Sequence, residues 1–426
     1  MSRAARLLLV LSGLACSRSV DAVRAIACLP DSGDPSCAPT PWPTTAHSAN
    51  SDPWLITHHQ VLTQLRPRVL VLNFDNGASS SDVLATAQAQ AAAIAEGSRY
   101  HGYADSSAMP FVQPQVKVVD LTDHPPPAGW TNPSSTLLPT TSTGEFDPTA
   151  LFSARFSSAY GISDPTTPSR ALSLCELFEQ GDVNEVWIED GEAGIRRAPL
   201  NVERKQVYDQ AGQPVPGMFM SDAGGGGTLD ILCDVTVRMA HLDPARGPGC
   251  DLQVRGWGLE SMWAALPAPD AVDARAFLNA DFKSRFGVQF DSFGEICDQA
   301  GDPCVGYPDA MTAAGSYADG TGWRIAPFTQ GCGSSRFPPN ARARGEFTNA
   351  GAVDSRCAGF GLGGGSGGAD AYAPYSAATV ATQESAFPDC GGGWQIYWRQ
   401  SMPGAGNQAH GAGNRPIKNW WPFLYY

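Results

Sequence analysis

Arg68-Val-Leu-Val-Leu-Asn-Phe74, running straight into Asp75-Asn-Gly77, decides how the rest of this chain is read. Its apolar residues are consecutive, whereas a strand with one wet face alternates. A continuous Val/Leu run suits a strand covered on both faces, as in a parallel sheet, and Asn-Gly closes it as a turn. Downstream, Ser81–Glu96 is rich in Ala and reads as a helix stopped by Gly97. Val116-Lys-Val-Val-Asp-Leu121 is a second strand. Strand, helix and strand in close succession form a βαβ unit and imply parallel pairing.

Further along, 122–170 is a long excursion rich in Pro, Thr and Ser. Ala171–Gln180 has helical period and stops at Gly181. Asp182-Val-Asn-Glu-Val-Trp-Ile188 is a third strand, leading into Glu189-Asp190-Gly-Glu192. Arg255–Leu266 and Asp270–Phe286 are further helix candidates. Beyond residue 290 there is little periodic signal, only Gly, aromatics and Cys. The expected class is therefore α/β: a mainly parallel sheet flanked by helices, with a loop-rich, disulfide-bonded C-terminal half. No internal repeat interrupts it.

Composition narrows the function classes. The 426 residues carry a net charge of −14, and only 16% are charged, against about 25% in ordinary domains. The acidic balance argues against nucleic acid, which needs basic patches. The 46 Gly and 34 Pro make it loop-rich, while 11 Trp, 18 Phe and 11 Tyr require a core. Met1-Ser-Arg3-Ala-Ala-Arg6 followed by Leu7–Ala15 reads as a secretory signal peptide within 1–22, cleaved after Ala15 or Ala22. Cys16 offers a lipoprotein reading, but Gly13 and Leu14 stand where a large aliphatic and then a small residue belong. No other segment is apolar for 18 residues, so no membrane span is expected. Residues 23–53 read as a Pro/Ser/Thr-rich linker and 54–426 as a single domain, secreted and monomeric.

Apart from Cys16, ten cysteines remain: 28, 37, 175, 233, 250, 297, 304, 332, 357 and 390. An exported chain with an even number forms disulfides by default. Short-loop closure suggests Cys28–Cys37, Cys233–Cys250, Cys297–Cys304 and Cys332–Cys357, leaving Cys175–Cys390 by elimination. The absence of Cys-x-x-Cys argues against zinc. No Asn-x-Ser/Thr sequon is usable, because Pro133 follows Asn132.

In open α/β sheets, ligands bind outside the carboxyl ends of the strands. Asp75 follows the first strand, and Glu189 and Asp190 follow the third. With Glu260 on a helix, they could act as an acid–base pair or hold a divalent cation through oxygen. The seven histidines, His58, His59 and His241 among them, lack ligand spacing and read as incidental. The patterns Gly364-Gly-Ser366-Gly-Gly368 and Gly359-Phe-Gly361-Leu-Gly-Gly364 fall in one glycine run, where such matches arise by chance. The C-terminal aromatics, Trp398, Trp420 and Trp421 among them, serve either as core or as stacking faces for sugars.

Four stretches resemble a family of secreted, mostly bacterial α/β proteins without an established activity. They are Leu174-Cys-Glu-Leu-Phe-Glu-Gln-Gly-Asp-Val-Asn-Glu-Val-Trp187; Gly256-Trp257-Gly-Leu-Glu260-Ser261; Gly331-Cys-Gly-Ser-Ser-Arg-Phe-Pro-Pro-Asn340; and Trp398 through Met402-Pro403 to Asn419-Trp420-Trp421. The family shows G-H-R-x-E-S in the second and G-C-G-x-x-H-F-P-P-N in the third. Here Trp257 and Arg336 replace both histidines, while Glu260 and Asn340 remain. The resemblance implies the architecture and export, and it weakens any inherited histidine chemistry. Two functions stay open. One is an extracellular hydrolase acting on polysaccharide through Asp75, Glu189, Asp190 and Glu260. The other is a non-catalytic carbohydrate-binding or cell-surface protein using Trp257, Asn340, Trp398, Trp420 and Trp421.

Overall fold

The computed structural model describes residues 28, 33–45, 47–48, 53–123, 139, 146–164, 167–191, 201–208, 214–222, 233, 235–242, 244–264, 305–309, 312–316, 322–325, 332–359, 372–407 and 419–426. Its centre is a six-stranded sheet in the order β4-β3-β5-β8-β6-β7. Strands β3 (Arg68–Asn73), β4 (Gln115–Asp120), β5 (Glu185–Glu189) and β8 (Val237–His241) are parallel, as the sequence implies. A hairpin, β6 (Asn201–Tyr208) and β7 (Pro214–Asp222), extends the sheet antiparallel beyond β8. Neither β8 nor the hairpin is among the strands that the sequence pattern predicts.

The continuous apolar runs are explained by helices on both faces. Val69 and Val71 of β3 and Trp187 of β5 point into one core. Leu70 and Leu72 of β3, with Val186 and Ile188 of β5, point into another. Adjacent residues go to opposite faces of a strand, so a strand with two dry faces shows no alternation. The second core is closed by α3 (Pro148–Leu151), α4 (Ala154–Ala159) and α5 (Leu174–Glu179) through Leu151, Phe156, Leu174 and Phe178. A reciprocal capping box starts α5: Ser173 Oγ accepts from the Glu176 amide, and Glu176 accepts from the Ser173 amide.

The first core is larger. It is closed by α2 (Ser80–Gly97), α6 (Gly247–Ala264), α8 (Gly392–Gln400) and α9 (Trp421–Tyr425). A short α7 (Ala381–Ala386) leads into α8. Every residue of α8 is buried, including Gln395, Arg399 and Gln400. Several of its polar groups are bonded inside: Trp394 Nε1 donates to the Ser334 carbonyl (2.9 Å) and Arg399 Nη1 to the Gln395 carbonyl (3.0 Å). The half beyond residue 290 is thus not merely loops. This helix is only nine residues long, opens on two glycines and carries Gln and Arg among its buried residues, so it did not read as a core helix from composition.

The stretch read as a linker also contributes. Strand β1 (Thr40–Trp42) pairs in parallel with β2 (Leu62–Leu65), and Trp42 is fully buried with its ring 4.6 Å from that of Tyr426. A Pro-rich segment can thus be a strand when its one large ring finds the core. Four disulfides are present among the described residues. Cys28–Cys37 and Cys332–Cys357 are as expected. Cys175 pairs with Cys233 and Cys250 with Cys390, correcting the expected Cys233–Cys250 and Cys175–Cys390. Proximity along the chain misled there, because the sheet brings residues 58 and 140 apart in sequence together. Cys297 and Cys304, the helix expected at 270–286, Glu192 and the glycine run from 360 to 368 lie outside the described residues. No described helix is long and apolar enough to cross a membrane.

Candidate functional site at the carboxyl edge of the sheet

The parallel strands end in register. Asn73 is opposite Asp120 on one side and Glu189 on the other, and Ile188 is opposite His241. Four neighbouring strand ends therefore deliver Asp120, Asp75, Glu189 with Asp190, and His241 to one edge of the sheet. This is where a doubly covered sheet binds ligands, because the helices begin there and leave a crevice.

Each group is held by its local turn. Asn73 is buried, and its Oδ1 accepts from the Asp75 amide (3.0 Å) while its Nδ2 donates to the Ala78 carbonyl (3.4 Å). Asp75 Oδ1 accepts from the Gly77 amide (2.7 Å), an Asx turn that leads to the Ser79 cap of α2. The Phe74 amide donates to the Glu189 carbonyl (2.7 Å), extending the β3–β5 ladder by one bond. Glu189 Oε1 accepts from the Gly191 amide (3.1 Å). Gly191 has φ +65°, and a Cβ placed on it would lie 2.9 Å from Asp75 Cγ. Glycine is required there both for the backbone and for the approach of the Asp75 carboxylate.

Asp190 and His241 form the centre. Both are buried, and His241 Nδ1 lies 3.6 Å from Asp190 Oδ2. The imidazole packs edge-on against Phe146, centroids 5.2 Å apart. Neither ring nitrogen of His241 makes a hydrogen bond among the described residues. Beside it is a cavity of about 10 Å³, lined by His241, Arg246, Asp251 and Arg255. That volume accommodates about one water molecule. Asp75 is half-buried, so one carboxylate of the set reaches solvent.

Of the four predicted acidic residues, Asp75 and Glu189 come together at Gly191, and Asp190 joins His241 at the same edge. Glu260 does not. Helix α6 has already reached the amino end of β5 at Arg255, whose Nη1 is 3.3 Å from Glu185 Oε2. Glu260 lies further on, about 20 Å along the axis from Gly247 at 1.5 Å per residue. Trp257 shares that helix. Asn340 is buried, and its Nδ2 donates to the carbonyls of Asn349 (2.7 Å) and Gly351 (2.8 Å), so it clamps a loop. Trp398, Trp420 and Trp421 are at most 1% exposed. They are core residues in this fold, which corrects their assignment as stacking faces. His241 is the residue that sequence reasoning set aside. The signal was present: it ends an apolar strand, as Asp75 and Glu189 do.

Among the described residues, three ligand atoms of His, Cys or carboxylate come within 4.8 Å of one another only at Cys28, Cys37 and His58. Two of those are joined in a disulfide. The described sheet-edge groups do not form such a set. No family model, no curated protein and no solved structure matches the chain.

Proposed function

We propose that the protein is a secreted hydrolase acting on polysaccharide, with His241 as general base, Asp190 as its positioning carboxylate and Asp75 facing the substrate. The observation that supports this is the buried Asp190–His241 pair at the carboxyl edge of the sheet, with His241 lining a water-sized cavity between β8 and α6. In this reading a water gives its proton to His241 as its oxygen attacks the substrate. Asp190 stabilises the imidazolium, which returns its proton to the leaving oxygen, while Asp75 holds the substrate by accepting from a hydroxyl. The disulfides, which persist in oxidising surroundings, and the leader-like first 22 residues support export.

The test is a panel of polysaccharides incubated with purified protein, with released reducing ends and released acyl groups both recorded. Activity lost by about 10²–10⁴-fold in His241→Asn and Asp75→Asn, with thermal unfolding unchanged, supports the assignment. Activity that survives His241→Asn refutes the base. No release from any polymer moves the protein to the alternative, a non-catalytic saccharide-binding or cell-surface protein. That alternative has lost its tryptophan platform to the core and needs another surface.

A further inference from the structure

A groove of about 630 Å³ lies between the end of α2 and the α7–α8 corner, lined by Glu96, Arg99, Tyr103, Thr382, Gln383 and Phe387 among others. It is remote from the site above. Ser80, at the start of α2, is tied to the carboxyl edge by its hydrogen bond to Asp120 (2.6 Å). Glu96 is about 24 Å further along the helix, at the opposite edge of the sheet.

The walls are preorganised. Arg99 is fully committed: Nη1 to both Glu96 oxygens (2.8 Å each), Nε to the Ala108 carbonyl (2.8 Å) and Nη2 to the Ser106 carbonyl (2.7 Å). Gln400 Nε2 also donates to Glu96 Oε1 (2.9 Å). The guanidinium therefore fixes the Glu96 carboxylate, whose side chain keeps 32% exposure, rather than offering donors to a ligand. Across the groove, Gln383 Oε1 is buried and accepts no hydrogen bond among the described residues. Tyr103 and Phe387 are half-buried and supply ring surface, with Tyr103 braced against Tyr397 at 4.5 Å between centroids.

We infer that this groove binds a neutral saccharide. Its polar lining offers the Glu96 carboxylate and the Gln383 oxygen as acceptors beside the Ser106 and Thr382 hydroxyls, which donate or accept, so it matches a ligand rich in hydroxyl groups, and its rings call for an apolar C–H face on the same molecule. A sugar ring carries both. The volume is within the range of small-molecule sites. The fixed carboxylate and the net charge of −14 disfavour anionic polymers. The inference does not depend on hydrolysis; such a groove would hold a polymer on the protein whether or not the carboxyl edge cleaves it.

The test is calorimetric titration of the full chain with neutral gluco-, xylo-, manno- and chito-oligosaccharides, and with uronic-acid oligomers as the charged control. His241→Asn protein is titrated in parallel so that turnover cannot mask binding. At least one neutral series is expected to saturate with a Kd at or below about 1 mM. Gln383→Leu should weaken it by about tenfold or more. Thr382→Val, at an exposed position, gives a second reading if Gln383→Leu does not fold. No saturation by any neutral series, tighter binding of the uronic-acid oligomers, or wild-type binding in both folded variants would each overturn the assignment.

Discussion

Replacing Glu185 by Gln and by Leu tests how the core is held together. Glu185 is fully buried at the amino end of β5, beside Arg238 and Arg255, also buried. Its Oε2 accepts from Trp187 Nε1 (2.8 Å) and Arg255 Nη1 (3.3 Å), and its Oε1 from the Tyr426 hydroxyl (3.0 Å). Arg255 also stacks over the Trp187 ring at 4.4 Å, and Arg238 donates to the Leu424 and Tyr425 carbonyls (3.2 and 2.8 Å). This one carboxylate thus links β5, α6 and the C-terminal segment. Gln preserves shape and most hydrogen bonds, since the Tyr426 hydroxyl can turn to accept from the amide. The substitution reads the charge, and breaking a buried pair costs about 3–5 kcal/mol. Leu removes all three acceptor contacts as well, and buried donors left without acceptors add about 1–3 kcal/mol each. Against a typical domain stability of about 5–15 kcal/mol, the Gln variant should fold with a lowered urea midpoint and the Leu variant should be largely unfolded. Urea titration followed by tryptophan fluorescence measures both. A Gln variant within about 0.5 kcal/mol of wild type would show that the carboxylate's charge does not hold the two arginines in place, and the reasoning would fail.

Other outcomes follow from the same structure. Replacing Cys250 and Cys390 by Ser opens a loop of 140 residues and should cost about 5 kcal/mol on the chain-entropy model. Opening Cys332–Cys357, a loop of 25, should cost about 3.5 kcal/mol; equal losses in a calorimetric comparison would contradict that ordering. Burial raises the hydroxyl of Tyr160 to about 12 and pushes those of Tyr103, Tyr375, Tyr397, Tyr425 and Tyr426 upward too. The native state then keeps protons that the unfolded chain releases above about pH 10. Stability should fall as pH rises past that value, by about 1.4 kcal/mol per pH unit for each such tyrosine. Tyrosinate absorbance should appear together with unfolding; gradual ionisation of the intact fold would refute the burial argument. Gly191→Ala should destabilise by about 1 kcal/mol or more through its positive φ and should displace the Asp75 carboxylate. Its kcat should fall with that of Asp75→Asn, and unchanged turnover would separate Asp75 from the chemistry.

The sequence by itself determined three adjacent parallel strands of the sheet, β4, β3 and β5. Consecutive apolar residues at Arg68–Phe74 and Asp182–Ile188 can only be satisfied by two dry faces, so local pattern and tertiary position carry the same information. It also placed Asp75, Glu189 and Asp190 at strand ends, because strand direction fixes which end the turn occupies. It could not pair Cys175 with Cys233 or Cys250 with Cys390, since pairing follows distances in space, and loop length constrains these only weakly. It could not sort the tryptophans either: Trp398 and Trp420 have the same apolar rings whether they meet a sugar or a core, and only packing decides. His241 and Glu260 show the same division most clearly. Each was a lone titratable residue in the sequence. The end of β8 set one of them against Asp190, and the run of α6 carried the other toward the opposite edge of the sheet.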